Sequence, residues 1–379
     1  MRITSVSVYV LKVPLVKQFI FASGTMKDYH GVLVKINAGD VYGWGEASPS
    51  GITGETKSSI IKTVKRMALR LKGKIPTLEL IPTIFDNRNP SASAALDMAI
   101  HDLVGKIQQK SVKDFYTIKN RPERSYIETS ITIGIGDLQT TLEHAHALIE
   151  KGATTLKIKI GTNPDLDIQR VRAVRSQFPK VMIRLDGNQG YTEDQAIYVL
   201  RDLEPEGIQF IEQPIERQNL GTMARIRKKV KIPIMADEAL TDFNSLENII
   251  ENAAADMINI KLMRVGGIRE GIRIANRALE AGMGIMVGCK VETRVATTAG
   301  THLALAKECI QYADLDGHLD LKEDFVIGGV QTYLGRNSIP NTPGLGLDVN
   351  EKTLSDYTTQ DNDFWQKVLP LLPFSNLKL

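Results

Sequence analysis

The 379-residue sequence predicts an α/β protein, a (β/α)8 TIM-type barrel preceded by a smaller α+β domain that the C-terminal tail completes. Three observations predict it. The chain is longer than one ordinary compact domain and suits a barrel of roughly 250 residues plus a partner. From about residue 124, short apolar runs alternate with charged stretches of helix length, a rhythm that implies parallel strands joined by right-handed crossovers. Eight such runs follow one another, the number that closes into a barrel. A doubly wound open sheet is the competing arrangement on periodicity alone.

Residues 3–11, 31–36 and 41–46 are short β-like runs between polar or glycine-containing turns, which predicts a small antiparallel sheet. From Thr53 to about Lys110 the period becomes 3.6, and the alanine-rich run 94–107 reads as a helix capped by Ser91 or Ser93. Sheet followed by helices makes residues 1–123 an α+β unit. The barrel strands are read at 127–133, 155–160, 181–186, 208–211, 232–236, 257–262, 284–288 and 312–315, placing the barrel at 124–325. Beyond Val326 the rhythm stops. The tail, 326–379, carries PGLGLD (343–348) and an apolar end with Trp365, and is expected to pack back onto the N-terminal domain.

Hydrophobic residues at 42% and charged residues at 24% allow a large core without disulfides. Lys+Arg 47 against Asp+Glu 44 leaves +3, with basic residues scattered apart from short runs such as Lys228, Lys229 and Lys231, so no nucleic-acid partner is expected. The apolar stretch 6–16 is broken by Lys12 and Pro14 and lacks a small-residue cleavage site, which reads as a strand rather than a signal peptide. No window reaches the roughly 18 apolar residues of a membrane span. Cys289 and Cys309 have neither metal-type nor disulfide-type spacing, and the cytoplasm is the expected compartment.

Charged residues at strand ends carry the chemical information, because a barrel gathers its chemistry at the C-terminal mouth. Lys159, Asp186, Glu212, Asp237 and Lys261 are separated by 27, 26, 25 and 24 residues, about one βα unit each, so all five converge at one height. Asp186, Glu212 and Asp237 each follow an apolar run that would not tolerate a bare charge. Alone, each would be read as readily as a helix cap; three in register call for a cation. All-oxygen ligation without His or Cys points to a hard ion, and Mg2+ is the expected cofactor. Asn188, Gln213 and Glu238 stand beside these carboxylates as orienting groups.

In KIKIG, Lys157 and Lys159 are two apart on a strand and share the inner face. Adjacent like charges and desolvation would lower their pKa values, as a general base near neutrality requires. Lys159 is read as the base, with Lys157 tuning it and binding a substrate carboxylate. Lys261 ends the sixth strand, opposite the second. Two bases facing each other across a stabilised carbanion α to a carboxylate make inversion of configuration the simplest outcome.

These residues resemble the enolase superfamily, specifically the muconate-lactonizing subgroup with lysines on the second and sixth strands. The resemblance runs through GWGEA (43–47), KIKIG, LDGNQG, IEQP, MADEA, NIK and PGLGLD, nearly the whole chain. It implies a capping domain whose loops near 16–28 and 49–55 close over the mouth and choose the substrate. It leaves open cycloisomerisation, o-succinylbenzoate synthesis, N-acylamino acid racemisation and dipeptide epimerisation. Asp314 and Asp316 in DLDG, read as two apart on the eighth strand, are similar to the Asp-x-Asp feature that holds the ammonium in dipeptide epimerases; turn chemistry before Gly317 is the alternative. Thr132 matches a substrate-contacting threonine of those enzymes. Gly24 stands where one type of Ala-Glu epimerase carries an arginine, and Lys290 stands where relatives carry an apolar residue. Lys290 would pair with an acidic substrate side chain or bridge to Glu292, whereas Phe19 and Phe21 would favour a hydrophobic dipeptide. The expected protein is a homo-oligomer acting on a small-molecule dipeptide, leaning to L-Ala-L/D-Glu, without membrane contact. A non-catalytic metal-binding barrel is the reading left for a chain whose lysines prove dispensable.

Overall fold

A computed structural model describes residues 1–358 except 22–23 and 118–122; side chains 19–21, and with them the Phe19 and Phe21 expectation, lie outside the described residues, as does the tail beyond 358 with Trp365. The early alternation becomes a three-stranded antiparallel meander, Ser5–Phe21, Gly24–Ala38 and Val41–Ala47. The first two strands run further than the sequence pattern suggests. Their pairing continues to Phe21↔Gly24, so the expected loop at 16–28 is the end of a long hairpin, with a register shift between Pro14 and Phe19. Proline lacks the N–H that the ladder needs, which favours an irregularity there.

The meander lies directly on the helix Pro90–Gln108. A Cβ at Gly43 or Gly45 would stand 2.1 Å from Ala99 O or 1.9 Å from Ala95 O, so GWGEA needs both glycines for this approach. The helix starts at Asn89 with Pro90 in its first turn, not at a serine cap. Proline is preorganised for that position. Ser91 and Ser93 sit inside the helix instead, where Ser91 Oγ meets Glu55 Oε2 at 2.9 Å and Ser93 Oγ accepts from Asp86 N at 2.8 Å.

The barrel strands are Ile131–Ile133, Thr155–Lys159, Met182–Asp186, Ile208–Glu212, Ile234–Ala236, Met257–Lys261, Gly284–Gly288 and Tyr312–Asp314, paired in chain order. Parallel bridging of Thr129 to Ala313 and a 3.2 Å bond from Ser130 N to Ala313 O join the first to the eighth. That closure excludes the open sheet. The predicted first strand splits, because Tyr126–Glu128 pairs antiparallel with Arg336–Ser338 outside the barrel. Phe210, Met235, Met257 and Met286 form a separate apolar cluster in the barrel interior, with the Arg184 guanidinium 5.2 Å and 5.3 Å from the ring centres of Phe210 and Tyr312.

The segment after the barrel returns to the meander. Asp348 accepts from Tyr42 Oη at 2.8 Å and Trp44 Nε1 at 3.2 Å, and Lys12 N donates to Tyr357 O at 2.9 Å. His302 fixes the same segment from below: its Nδ1 accepts from Lys113 N and its Nε2 donates to Leu345 O, both at 3.1 Å. Burial pushes this imidazole down to about 4. As pH falls below the ordinary value near 6.5, the unfolded chain takes a proton that the folded one refuses, so stability declines by up to about 1.4 kcal/mol per pH unit until pH 4. Urea unfolding between pH 7 and 4.5 should show that slope, and His302→Asn should remove this contribution to it.

Among the described residues no helix is long and apolar enough to cross a membrane.

Candidate active site

Strand pairing sets the site. Lys159 lies beside Asp186 and Asp186 beside Glu212, so neighbouring strands deliver one charged group each to the same level. Asp186, Glu212 and Asp237 are fully buried, with a carboxylate oxygen of each within 4.8 Å of the others. Lys159 Nζ bonds Asp186 Oδ2 at 2.6 Å and Asn188 Oδ1 at 2.7 Å. Lys261 Nζ bonds Asp237 Oδ2 at 2.8 Å. The two lysines therefore attach to different members of one carboxylate group, and both line a single cavity of about 210 Å³.

Lys157 departs from expectation. Its Nζ lies 2.9 Å from Asp186 Oδ2, 3.0 Å from Glu212 Oε1 and 2.7 Å from Asp314 Oδ2. Burial alone would lower its pKa, but the charges of Asp186, Asp314 and Glu212 hold it well above the ordinary lysine value. Burial likewise opposes the rise at Lys261, where the Asp237 charge prevails. At Lys157 the like charge and desolvation that led to the expectation of a lowered value are outweighed by carboxylates at hydrogen-bond distance.

The carboxylates show the complementary pattern. Burial pushes Glu212 up to about 8, with Asp186, Asp314 and Asp237 adding to the rise against Lys157, whereas three lysines overcome burial and hold Asp186 well below the usual range. Glu212 Oε1 makes no hydrogen bond of good geometry despite the nearby ammonium, and Glu238 Oε2 is also buried without one. A buried donor set made of oxygen, crowded with like charge and incompletely bonded, fits a hard divalent cation held by Asp186, Glu212 and Asp237. Asn188, Gln213 and Glu238 bond around this donor set. Gln213 Oε1 accepts from Asp237 N and Ala239 N at 3.1 Å, Asn188 N donates to Asp186 Oδ1 at 2.9 Å, and Asn188 Nδ2 donates to Glu238 Oε1 at 3.0 Å. Asn188 and Gln213 have φ of 38° and 32°, a left-handed backbone uncommon outside glycine.

Asp314 and Asp316 do not share a strand face. The strand stops at Asp314, and Asp316 precedes the short 3-10 helix Gly317–Asp320. Asp314 is taken up by Lys157 and by Ser130 Oγ at 2.7 Å. Asp316 accepts from Thr132 N at 2.8 Å, and burial with the Asp314 charge raises it to about 6. Both still line the cavity, as does Thr132. Lys290 lines it too, yet its Nζ donates to Ser48 Oγ at 3.2 Å and Pro49 O at 2.5 Å; only its backbone N meets Glu292, at 3.1 Å. Burial lowers this ammonium to about 8. A second link between cap and barrel is Glu46, which accepts from Thr293 N, Thr293 Oγ1, Ala296 N and Tyr29 Oη. Gly24 closes the hairpin opposite Phe21 and is not among the cavity residues.

Sequence reasoning missed Arg264 and Asn259. Arg264 Nη1 donates to Asp237 O and, at 2.9 Å, to Asp237 Oδ1; it sits on a four-residue helix, Leu262–Val265, that periodicity does not reveal. Asn259 Nδ2 donates to Glu212 Oε2 at 2.9 Å, and its place two residues before Lys261 was the available signal.

Comparison with known proteins adds independent evidence. Residues 4–116 match the mandelate racemase / muconate lactonizing enzyme N-terminal domain, and 140–353 match the enolase C-terminal domain-like family. The chain is 34% identical to the N-succinyl-L-Arg/Lys racemase of Bacillus cereus over 94% of this chain and 98% of that protein. It is 36% identical to the L-Ala-D/L-Glu epimerase of Clostridium acetobutylicum over 89% and 96% of the two chains. Among solved structures, the Enterococcus faecalis dipeptide epimerase complexed with Mg and L-Leu-L-Tyr is 32% identical, superposing with a TM-score of 0.86 over 92% of this chain and 100% of that one.

Proposed function

The chain belongs to the mandelate racemase / muconate lactonizing enzyme family of the enolase superfamily, whose similar members named above are isomerases, and from that premise we propose that it is a Mg2+-dependent dipeptide epimerase. It inverts the α-carbon of the C-terminal residue of L-Ala-L-Xaa dipeptides, with L-Ala-L/D-Glu favoured. The observation that carries this reading is the placement of Lys159 and Lys261 on the second and sixth strands, each bonded to a different carboxylate of one group and both facing one cavity. Lys159 takes the α-proton from one face and Lys261 returns one to the other. Lys157 holds Asp186, Glu212 and Asp314 in place. Bound among Asp186, Glu212 and Asp237, Mg2+ supplies the positive charge that stabilises the substrate carboxylate as electron density builds on it.

Asp316 supplies negative charge for the dipeptide ammonium, and Thr132 offers its hydroxyl to the peptide unit. The acidic preference rests on Lys290, which spends two of its three protons on Ser48 and Pro49 and keeps one for a substrate side chain. Lys290→Met should lower kcat/KM for L-Ala-L-Glu about tenfold relative to L-Ala-L-Leu, the order of one charge-assisted hydrogen bond. Equal loss on both substrates would leave Lys290 as a fastener of the 48–50 loop alone.

The decisive assay incubates the protein with Mg2+ and a dipeptide library in D2O and follows exchange of the C-terminal α-proton. Exchange confined to N-succinyl amino acids, with none from dipeptides, would overturn the reading in favour of an N-acylamino acid racemase.

A further inference from the structure

A buried carboxyl that the proposed reaction does not use lies where the capping domain meets the barrel. Glu55 ends the 49–55 loop, whose Ser50 and Ile52 line the catalytic cavity together with Lys261 and Arg264. Its Oε1 accepts from Ser91 N at 2.9 Å, in the first turn of the helix Pro90–Gln108. Its Oε2 lies 2.9 Å from Ser91 Oγ and 2.6 Å from Thr53 Oγ1. Ser91 Oγ is also 2.9 Å from Ser48 O and 2.9 Å from Met263 O, which belongs to the turn Leu262–Val265 directly after Lys261. Thr53 Oγ1 is also 3.3 Å from Ser50 O. Glu55, Ser48, Ser50 and Ser91 are all buried, away from bulk solvent that could supply further hydrogens.

With Glu55 ionised, the hydrogens do not suffice. Every oxygen facing the two hydroxyls is then an acceptor, and each hydroxyl brings one hydrogen. Ser91 alone would have to serve Ser48 O, Met263 O and Glu55 Oε2, leaving unbonded oxygens pressed together in a site of low dielectric. A proton on Oε2 turns its contact with Ser91 round. The carboxyl then donates to Ser91 Oγ, and the hydrogen of Ser91 is shared between two carbonyls, one on the loop and one on the barrel. Burial raises this carboxyl above the ordinary glutamate range, against the bonds from Thr53 and Ser91 and the charge of Lys290. Lys290 holds the other end of the loop, at Ser48 Oγ and Pro49 O. The barrel side of the junction is fixed, because Arg264 of the same turn bonds Asp237. Resting on the dipeptide reading, we propose that Glu55 is a positioning residue that works as a neutral acid: its hydrogen bond to Ser91 fastens the 49–55 loop to the turn after Lys261 and holds Ser50 and Ile52 against the substrate. A neutral Glu55 also gives the Lys290 ammonium no charged partner on the loop, which keeps that charge for a substrate carboxylate.

One spectrum and three variants test this. The infrared difference spectrum of wild type against Glu55→Gln at pH 7 should contain the C=O stretch of one protonated carboxyl; Glu212 and Glu292 are common to both proteins and cancel. Glutamine is neutral and keeps a donor and an acceptor, so Glu55→Gln should hold KM for L-Ala-L-Glu within about twofold of wild type. Glu55→Ala should raise that KM about tenfold with kcat little changed, since the lysines and carboxylates stay where they are. Ser91→Ala should cost as much, and the double variant no more than either single one, because both remove the same connection. A difference spectrum without the carboxyl band, or a Glu55→Gln enzyme as impaired as Glu55→Ala, overturns the inference. So does an unchanged KM in Glu55→Ala, or a double variant in which the two losses add. All of these outcomes leave the epimerase reading standing. No exchange from any dipeptide by wild-type enzyme removes that reading, and the spectrum, which needs no substrate, still decides the state of Glu55.

Discussion

Lys159→Ala and Lys261→Ala should each reduce the proposed epimerisation by about 10³-fold or more, and should fail in different ways. In the proposed mechanism each lysine faces the α-carbon from one side. A variant lacking one base keeps the ability to abstract, and return, a proton on the side of the other. Solvent exchange followed by NMR from L-Ala-L-Glu and from L-Ala-D-Glu therefore separates the pair: one variant retains exchange from one configuration only, the second from the opposite one. Both losses are expected in a folded protein, because Asp186 keeps Lys157 at 2.9 Å and Asp237 keeps Arg264 at 2.9 Å when its lysine is gone. Near-wild-type epimerisation in either variant defeats the two-base mechanism. Symmetrical loss of exchange from both configurations in both variants would assign one lysine to proton transfer and the other to holding the carboxylates.

How far such a site is legible in sequence depends on which residues obey a period. The five strand-end charges were readable because a βα unit has a nearly constant length, so spacing alone placed Lys159, Asp186, Glu212, Asp237 and Lys261 on one level. The eight strands were readable for the same reason. What escaped has no period. Arg264 belongs to a single helical turn, and the Lys290 contacts with Ser48 and Pro49 join residues more than 240 positions apart. The Asp314 and Asp316 error has a specific cause: alternation along a strand was extended two residues past the point where the strand ends, and the backbone turn at Asp316 separates the two side chains. The lysine error is electrostatic. Sequence displays Lys157 and Lys159 as neighbours of like charge, whereas the closed barrel surrounds Lys157 with carboxylates from three other strands.

Removing divalent metal should abolish exchange, and adding Mg2+ should raise the melting temperature, a readout that needs no turnover. The carboxylates that would hold the ion are buried and repel one another, so a ligand that binds only the folded state stabilises it by RT ln(1 + [L]/Kd), about 2.7 kcal/mol at a hundredfold excess over Kd. Glu212 makes the affinity depend on pH. With its carboxyl pushed up to about 8, a proton competes with the cation below that value. Calorimetric titration should therefore show tighter Mg2+ binding at pH 8.5 than at pH 6.5. Glu212→Gln removes both a ligand and the competing proton, so binding weakens and loses most of its pH dependence. Above pH 8, where Glu212 is ionised, the same substitution relieves a buried charge that Lys157 and Asn259 only partly compensate. At pH 8.5 with a chelator the variant should consequently be at least as stable as the natural protein, and with Mg2+ it should gain little. If Mg2+ raises the melting temperature of Glu212→Gln as much as that of the natural chain, the ion sits elsewhere and the convergence of Asp186, Glu212 and Asp237 is structural.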